Sequence, residues 1–177
     1  ERADFCVGYF NLRGWKDLAD AVDTWPGGDG HCARILVGMQ RAPKDELRDY
    51  YRIAGSTDDL DNQAIARLKK NMALEFRNQL TQGAPTNADE TALRHLAEQL
   101  RSGKVVVRLF MAHPLHAKLY LLHRQDRFNP IIGFLGSSNL TFAGLSQQGE
   151  LNVDVMDTDA SQKLSKWFED RWNDWGC

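Results

Sequence analysis

The chain has 177 residues, 42% of them hydrophobic and 26% charged, with a formal net charge of −2. This length fits one domain that buries about 70% of the surface its unfolded form exposes, and the composition excludes a disordered, fibrous or uniformly basic chain. No apolar run approaches the roughly 18 residues of a membrane span. The cysteines Cys6, Cys32 and Cys177 have no close pairing, so we expect a reduced, soluble, cytoplasmic protein without disulfides or thiolate-bound metal.

In chain order, ADFCVGYF reads as a strand, and NLRGWKDLADAV as a turn followed by a helix with Leu18, Ala19 and Val22 at helical spacing. The turn-rich WPGGDG closes that helix, HCARILVGMQ supplies a second buried strand, and the three together make a parallel βαβ opening. Leu60, Ala64, Leu68, Met72, Phe76 and Leu80 then recur every four residues, the stripe of a long amphipathic helix packed on a core. After the loop TQGAPTNADE, whose Thr86, Asn87 and Asp89 offer caps, ETALRHLAEQL is helical and Gly103 ends it. KVVVRLF, HAKLYLL, IIGFL and ELNVDVM read as four short strands, and DASQKLSKWFEDRW as a closing helix with Leu164, Trp167, Phe168 and Trp172 on one face. The absence of repeats and internal linkers predicts a single domain over residues 1–177. Its class is α/β, with a mixed, largely parallel sheet covered by helices on both faces. Because the first residue is Glu1 and no leader precedes the first strand, the segment reads as part of a longer protein.

Charge is uneven along the chain. Between Arg101 and Arg127 six cations face only Asp126, a local charge of +5 that reads either as a solvated face or as an anion-binding surface. Inside it stand His116 and Lys118, two positions apart in a strand-like run and so on the same face. Alone, the pair is equally an exposed strand pair in a basic patch. Downstream, an apolar strand ends in Gly136, Ser137, Ser138 and Asn139, small residues that let backbone amides approach an anion, with an amide donor at Asn139. Glu150 opens another strand eleven residues later. An imidazole attacks phosphorus, an ammonium and an amide stabilise the equatorial oxygens, and a carboxylate holds an imidazole in one tautomer: together a metal-free phosphodiester site. His113, near the start of the same strand, is a further candidate phosphate contact. Elsewhere, Gly103 and Lys104 lack the flanking residues of a phosphate-binding GxxxxGK[ST] loop, and His31 and His95 have no ligand spacing around them.

HAKLY, GSSNLT and the spaced Glu resemble the HxK…GSxN…E signature of the phospholipase D superfamily, most directly over residues 105–157. YFNLRGWKDLA resembles the opening of the branch that holds restriction-type nucleases and the amino-terminal domains of bacterial superfamily II helicases. The resemblance implies a phospholipase D-like sandwich with His116 as nucleophile, Lys118 and Asn139 as phosphate ligands, Ser137 as a supporting donor and Glu150 orienting a histidine, with no cofactor or metal. The superfamily's HxKxxxxD pattern has Asp where this chain has His123. That odd offset puts the position on the strand face opposite His116, a supporting role, with Asp126 as a candidate substitute.

These residues imply a metal-independent phosphodiesterase acting on DNA through a phosphohistidine, a module of a helicase or restriction-type protein. The alternative is a catalytically silent DNA- or phosphate-binding accessory domain of a helicase. Lipid head-group hydrolysis is disfavoured, since no amphipathic membrane segment is visible. The expected partners are a DNA backbone, a fused helicase or DNA-recognition domain, and a second copy of the chain meeting the first across the His116 face. The last follows because two histidines are needed and one HxK is present.

Overall fold

In RADFCV, Ala3, Phe5 and Val7 alternate with Asp4 and Cys6, and all five are buried. A strand buried on both faces belongs in the middle of a sheet. β1 (Arg2–Val7) lies there, in the order β3-β2-β1-β4-β5-β6. The computed structural model describes residues 2–38, 62–81, 87–110, 115–140 and 151–174. Its strands are β1, β2 (Ala33–Gly38), β3 (Val105–Phe110), β4 (Lys118–His123), β5 (Ile131–Gly136) and β6 (Asn152–Val155). Its helices are α1 (Leu12–Asp23), α2 (Asn62–Leu80), α3 (Asn87–Arg101) and α4 (Thr158–Trp172).

The predicted βαβ opening is present, with β1 and β2 parallel in the register Phe5↔Ile35. β3 continues the parallel half beside β2. The chain turns back at β4, which runs antiparallel to β1, and β5 and β6 follow as antiparallel neighbours. The sheet is therefore mixed, as expected, but parallel only across β1, β2 and β3. The balance shifts at β4 and β5, which are joined by residues 124–130 without the helical crossover that a parallel step needs.

Each face has its own core. Ala3, Phe5, Val7, Ile35, Val37 and Val105 pack with Trp15, Ala19 and Val22 of α1 and Leu96 of α3, and Phe76 and Leu80 of α2 lie against them. On the other face Cys6, Leu36, Leu119 and Leu121 pack under Phe168 and Trp172 of α4. Phe76 and Leu80 of the predicted stripe thus meet a core as expected, while Leu60 and the side chains of Ala64, Leu68 and Met72 lie outside the described residues. Trp15 donates its indole N–H to Gln99 at 2.8 Å, and Gln99 donates in turn to the carbonyl of Ala19 and to Asp23. A buried amide with its bonds filled in this way ties α1 to α3.

Candidate active site

Because β4 is antiparallel to β1 and β5, one end of the sheet collects the carboxyl ends of β1 and β5 and the amino end of β4. Val7 pairs with Lys118, and Leu135 with Leu119. His116 comes just before β4 and Asn139 just after β5, so residues more than twenty positions apart meet beside Gly8. A Cβ built on Gly8 would lie 3.0 Å from His116 Cδ2, 3.5 Å from its Nε2 and 3.3 Å from Asn139 Oδ1. Both contacts are tight, so a side chain at this position would make His116 or Asn139 give way.

The backbone N–H of Tyr9 donates to Asn139 Oδ1 at 3.1 Å. With its oxygen engaged, the Asn139 amide presents its NH2 as the group available to a ligand. Beyond it, Phe10 and Leu140 form a parallel bridge and the Asn11 N–H donates to the Leu140 carbonyl at 3.1 Å. Asn11 then caps α1 by accepting from the Gly14 N–H. The segment after β1 is thereby zipped to the segment after β5, which fixes Asn139 against Gly8. Lys118 Nζ lies 3.1 Å from His116 Nε2 and 3.4 Å from its Nδ1, so the residues of the HxK pair are in direct contact.

The rest of GSSN divides its labour. At Gly136 a Cβ would stand 2.0 Å from Asn152 Oδ1, so glycine is required for β6 to approach. Ser137 exchanges bonds with Leu151, its N–H donating to the Leu151 carbonyl and its Oγ accepting from the Leu151 N–H, both at 3.1 Å. Ser138 is buried; its carbonyl accepts from the Tyr120 hydroxyl and its Oγ from Asn152 Nδ2. Ser137 therefore extends the β5–β6 ladder and keeps its hydroxyl hydrogen. His113 and Glu150 lie outside the described residues. Among the described residues no three His, Cys, Asp or Glu side chains gather as a metal-binding group, and no helix is long and apolar enough to cross a membrane.

His123 stands at the far end of β4, opposite Arg2. Its Nε2 lies 2.7 Å from Oδ2 of Asp4, and Arg34 donates to both Asp4 oxygens, at 2.6 and 2.8 Å. Arg34 also reaches Glu169 of α4 at 2.6 Å, with its guanidinium over Phe168 and Trp172. Burial opposes ionisation of Asp4, but the bonds from His123 and Arg34 outweigh it and hold the carboxyl below its ordinary range. Arg34 is held above its ordinary value against the same cost. The acid beside His123 thus sits across on β1. Asp126 does not substitute there. It accepts from the N–H groups of Phe128 and Asn129 and from Arg124 in the β4–β5 turn, and the backbone bonds lower its pKa.

The basic segment also disperses. Arg108 packs on Trp172 and donates to its carbonyl, Lys104 donates to the Asp23 carbonyl, and Arg124 pairs with Asp126. Lys118 is the cation of that run which stands at the site. His95, expected to be ordinary, bonds Asp23 at 2.6 Å between α1 and α3. The residues that sequence reading missed are Gly8 and Tyr9. Neither carries a reactive side chain, and only the sheet order brings them under His116 and Asn139.

The family described as "Cardiolipin synthase, PLD-like domain" matches residues 29–172. The chain resembles the solved structure of NucT from Helicobacter pylori, with a TM-score of 0.51 and 12% identity over 97% of this chain and 78% of that one. It also resembles a phospholipase D family member, Nuc from Salmonella typhimurium, with a TM-score of 0.48 and 16% identity over the same shares. None of the curated proteins compared with the chain matches it.

Proposed function

We propose that this chain, which belongs to the PLD-like domain family matched over most of its length, is a metal-independent phosphodiesterase that cleaves DNA through a phosphohistidine. The observation that carries this reading is the convergence of His116, Lys118 and Asn139 around Gly8. An imidazole nitrogen lies beside an ammonium, and at Gly8 the imidazole is joined by an amide whose oxygen is already engaged. Those groups meet the needs of in-line attack on a phosphodiester. His116 Nε2 attacks phosphorus; the P–N bond forms as the P–O bond to the leaving oxygen breaks, and a second imidazolium protonates that oxygen. Water then attacks phosphorus, gives its proton to the second imidazole, and the P–N bond breaks. Lys118 and Asn139 stabilise the equatorial oxygens throughout, one by its charge and the other as an amide donor, with Ser137 and His113 as further contacts. Glu150 orients the imidazole.

The second imidazole is His116 of another copy, facing the first across a two-fold axis. In this reading the domain serves a helicase or restriction-type protein that supplies the DNA. Labelled DNA incubated with the protein in EDTA, beside a His116→Ala control, tests the chemistry. Cleavage that disappears in the control supports the enzyme. DNA bound equally by both proteins and cut by neither leaves the accessory-domain reading, that of a phosphate-binding platform without turnover.

A further inference from the structure

On the α4 side of the sheet a groove of about 750 Å³ runs from His116 and Lys118 down between β4–β6 and the amino-terminal half of α4. Leu119 and Leu135, cross-strand partners, line its sheet wall, and Leu164 and Trp167 line its helix wall, with Lys163 also on the helix side. The helix closes on the sheet at Gly133, where a Cβ would meet Leu164 at 3.1 Å, and the groove opens beyond that point. Arg171 covers one side of the Trp167 indole, 3.6 Å from its centroid, and donates to the Trp167 carbonyl. That contact holds the ring, which packs in part on the core beneath α4 and also lines the groove.

The groove is mostly apolar, open along one side to solvent, and continuous with residues expected to hold a phosphate. An acyl chain there would stay half wet. A flat ring with apolar faces and a polar edge fits better, since its faces meet leucine and indole while its edge stays hydrated. We propose that the groove takes a nucleobase of an unpaired strand whose phosphate lies at His116 and Lys118. This inference rests on the phosphodiesterase reading of that site. It makes single-stranded DNA, or a strand end that can splay a base, the favoured substrate, because a paired base is held in its stack.

The test uses His116→Ala protein, which cannot turn over, and fluorescently labelled 12-nucleotide strands read by anisotropy. An oligo-dT strand is expected to bind about tenfold more tightly than an abasic strand of the same length or a duplex. Trp167→Ala should erase that preference. So should Ala160→Leu, which fills the groove without removing core and whose fold is checked by circular dichroism. A 5-iodouracil strand should cross-link within residues 158–172. Equal affinity for dT and abasic strands, both weakened by Lys118→Ala, overturns the base groove and leaves the phosphate site standing. If no strand binds and inorganic phosphate leaves the His116 region of the intact protein unperturbed by NMR, the phosphate-site reading fails as well. Phosphatidylglycerol vesicles that protect Trp167 from oxidation where strands do not would assign the groove to acyl chains and overturn the proposal.

Discussion

Asp4→Asn removes the charge on which the α4 side of the sheet is organised. Asp4 is fully buried and accepts from Arg34 at 2.6 and 2.8 Å, from His123 at 2.7 Å and from Arg2 at 3.1 Å. Asparagine keeps the shape but turns one acceptor into a donor that faces other donors, and leaves Arg34 only the half-exposed Glu169. Breaking a buried pair from one side costs about 3–5 kcal/mol. At roughly 2–4 °C per kcal/mol for a domain of this size, the melting temperature should fall by about 6–20 °C. Because the folded pKa of Asp4 lies below its ordinary 3.8, its contribution is whole above that value and is lost as pH falls through the lower folded one. The gap between wild type and variant should therefore persist from pH 7 to pH 5 and close only well into the acid range. Urea unfolding at pH 7, pH 5 and pH 3 measures it. A difference below about 1 kcal/mol at pH 7 would refute the claim that this cluster stabilises the fold.

Gly8→Ala should lower DNA cleavage by at least about tenfold through displacement of His116 or Asn139, with a far smaller loss of stability than Asp4→Asn; kinetics beside thermal melts check both halves. Lys118→Ala should weaken binding of inorganic phosphate, followed by NMR titration, more than Arg124→Ala does, since Arg124 is already paired with Asp126 far along β4; equal losses count against the site. His123→Asp, which restores the superfamily's residue, should destabilise the protein by setting a second carboxylate against Asp4 and should not raise activity, as melts and cleavage assays will show. For the two-fold site, heterodimers of intact and His116→Ala chains should have little activity in a mixing assay with sedimentation; activity proportional to intact chain at monomeric mass would end the shared-site model.

Periodicity made much of this architecture legible. Leu164, Trp167, Phe168 and Trp172 announced the inner face of α4, and the apolar run ADFCVGYF announced a strand, though not its central place in the sheet. The sheet's balance was harder to read, because the direction of β4 depends on its pairing with β1 and both directions bury the same alternating residues. Local chemistry also misled where charge was summed along the chain. Arg108 and Arg124 count toward a basic run, yet one lies on Trp172 and the other in a turn, because side chains along the strands and turns of one segment face different surroundings.

The fate of His123 shows why a departure from a motif must be judged by what the residue touches. As a letter it replaces an acid with a base seven positions after His116. In space it faces Asp4, and the cluster of Arg2, Asp4, Arg34, His123 and Glu169 still pairs its cations with carboxylates, one acid standing on β1 rather than β4. Arg34 and Glu169 form the ionic link between the sheet and α4, the helix that forms one wall of the groove beside His116 and Lys118. At the other end of β4 the constraint is on space rather than charge, since a Cβ on Gly8 would stand 3.0 Å from His116 and 3.3 Å from Asn139, and one of the two would have to give way.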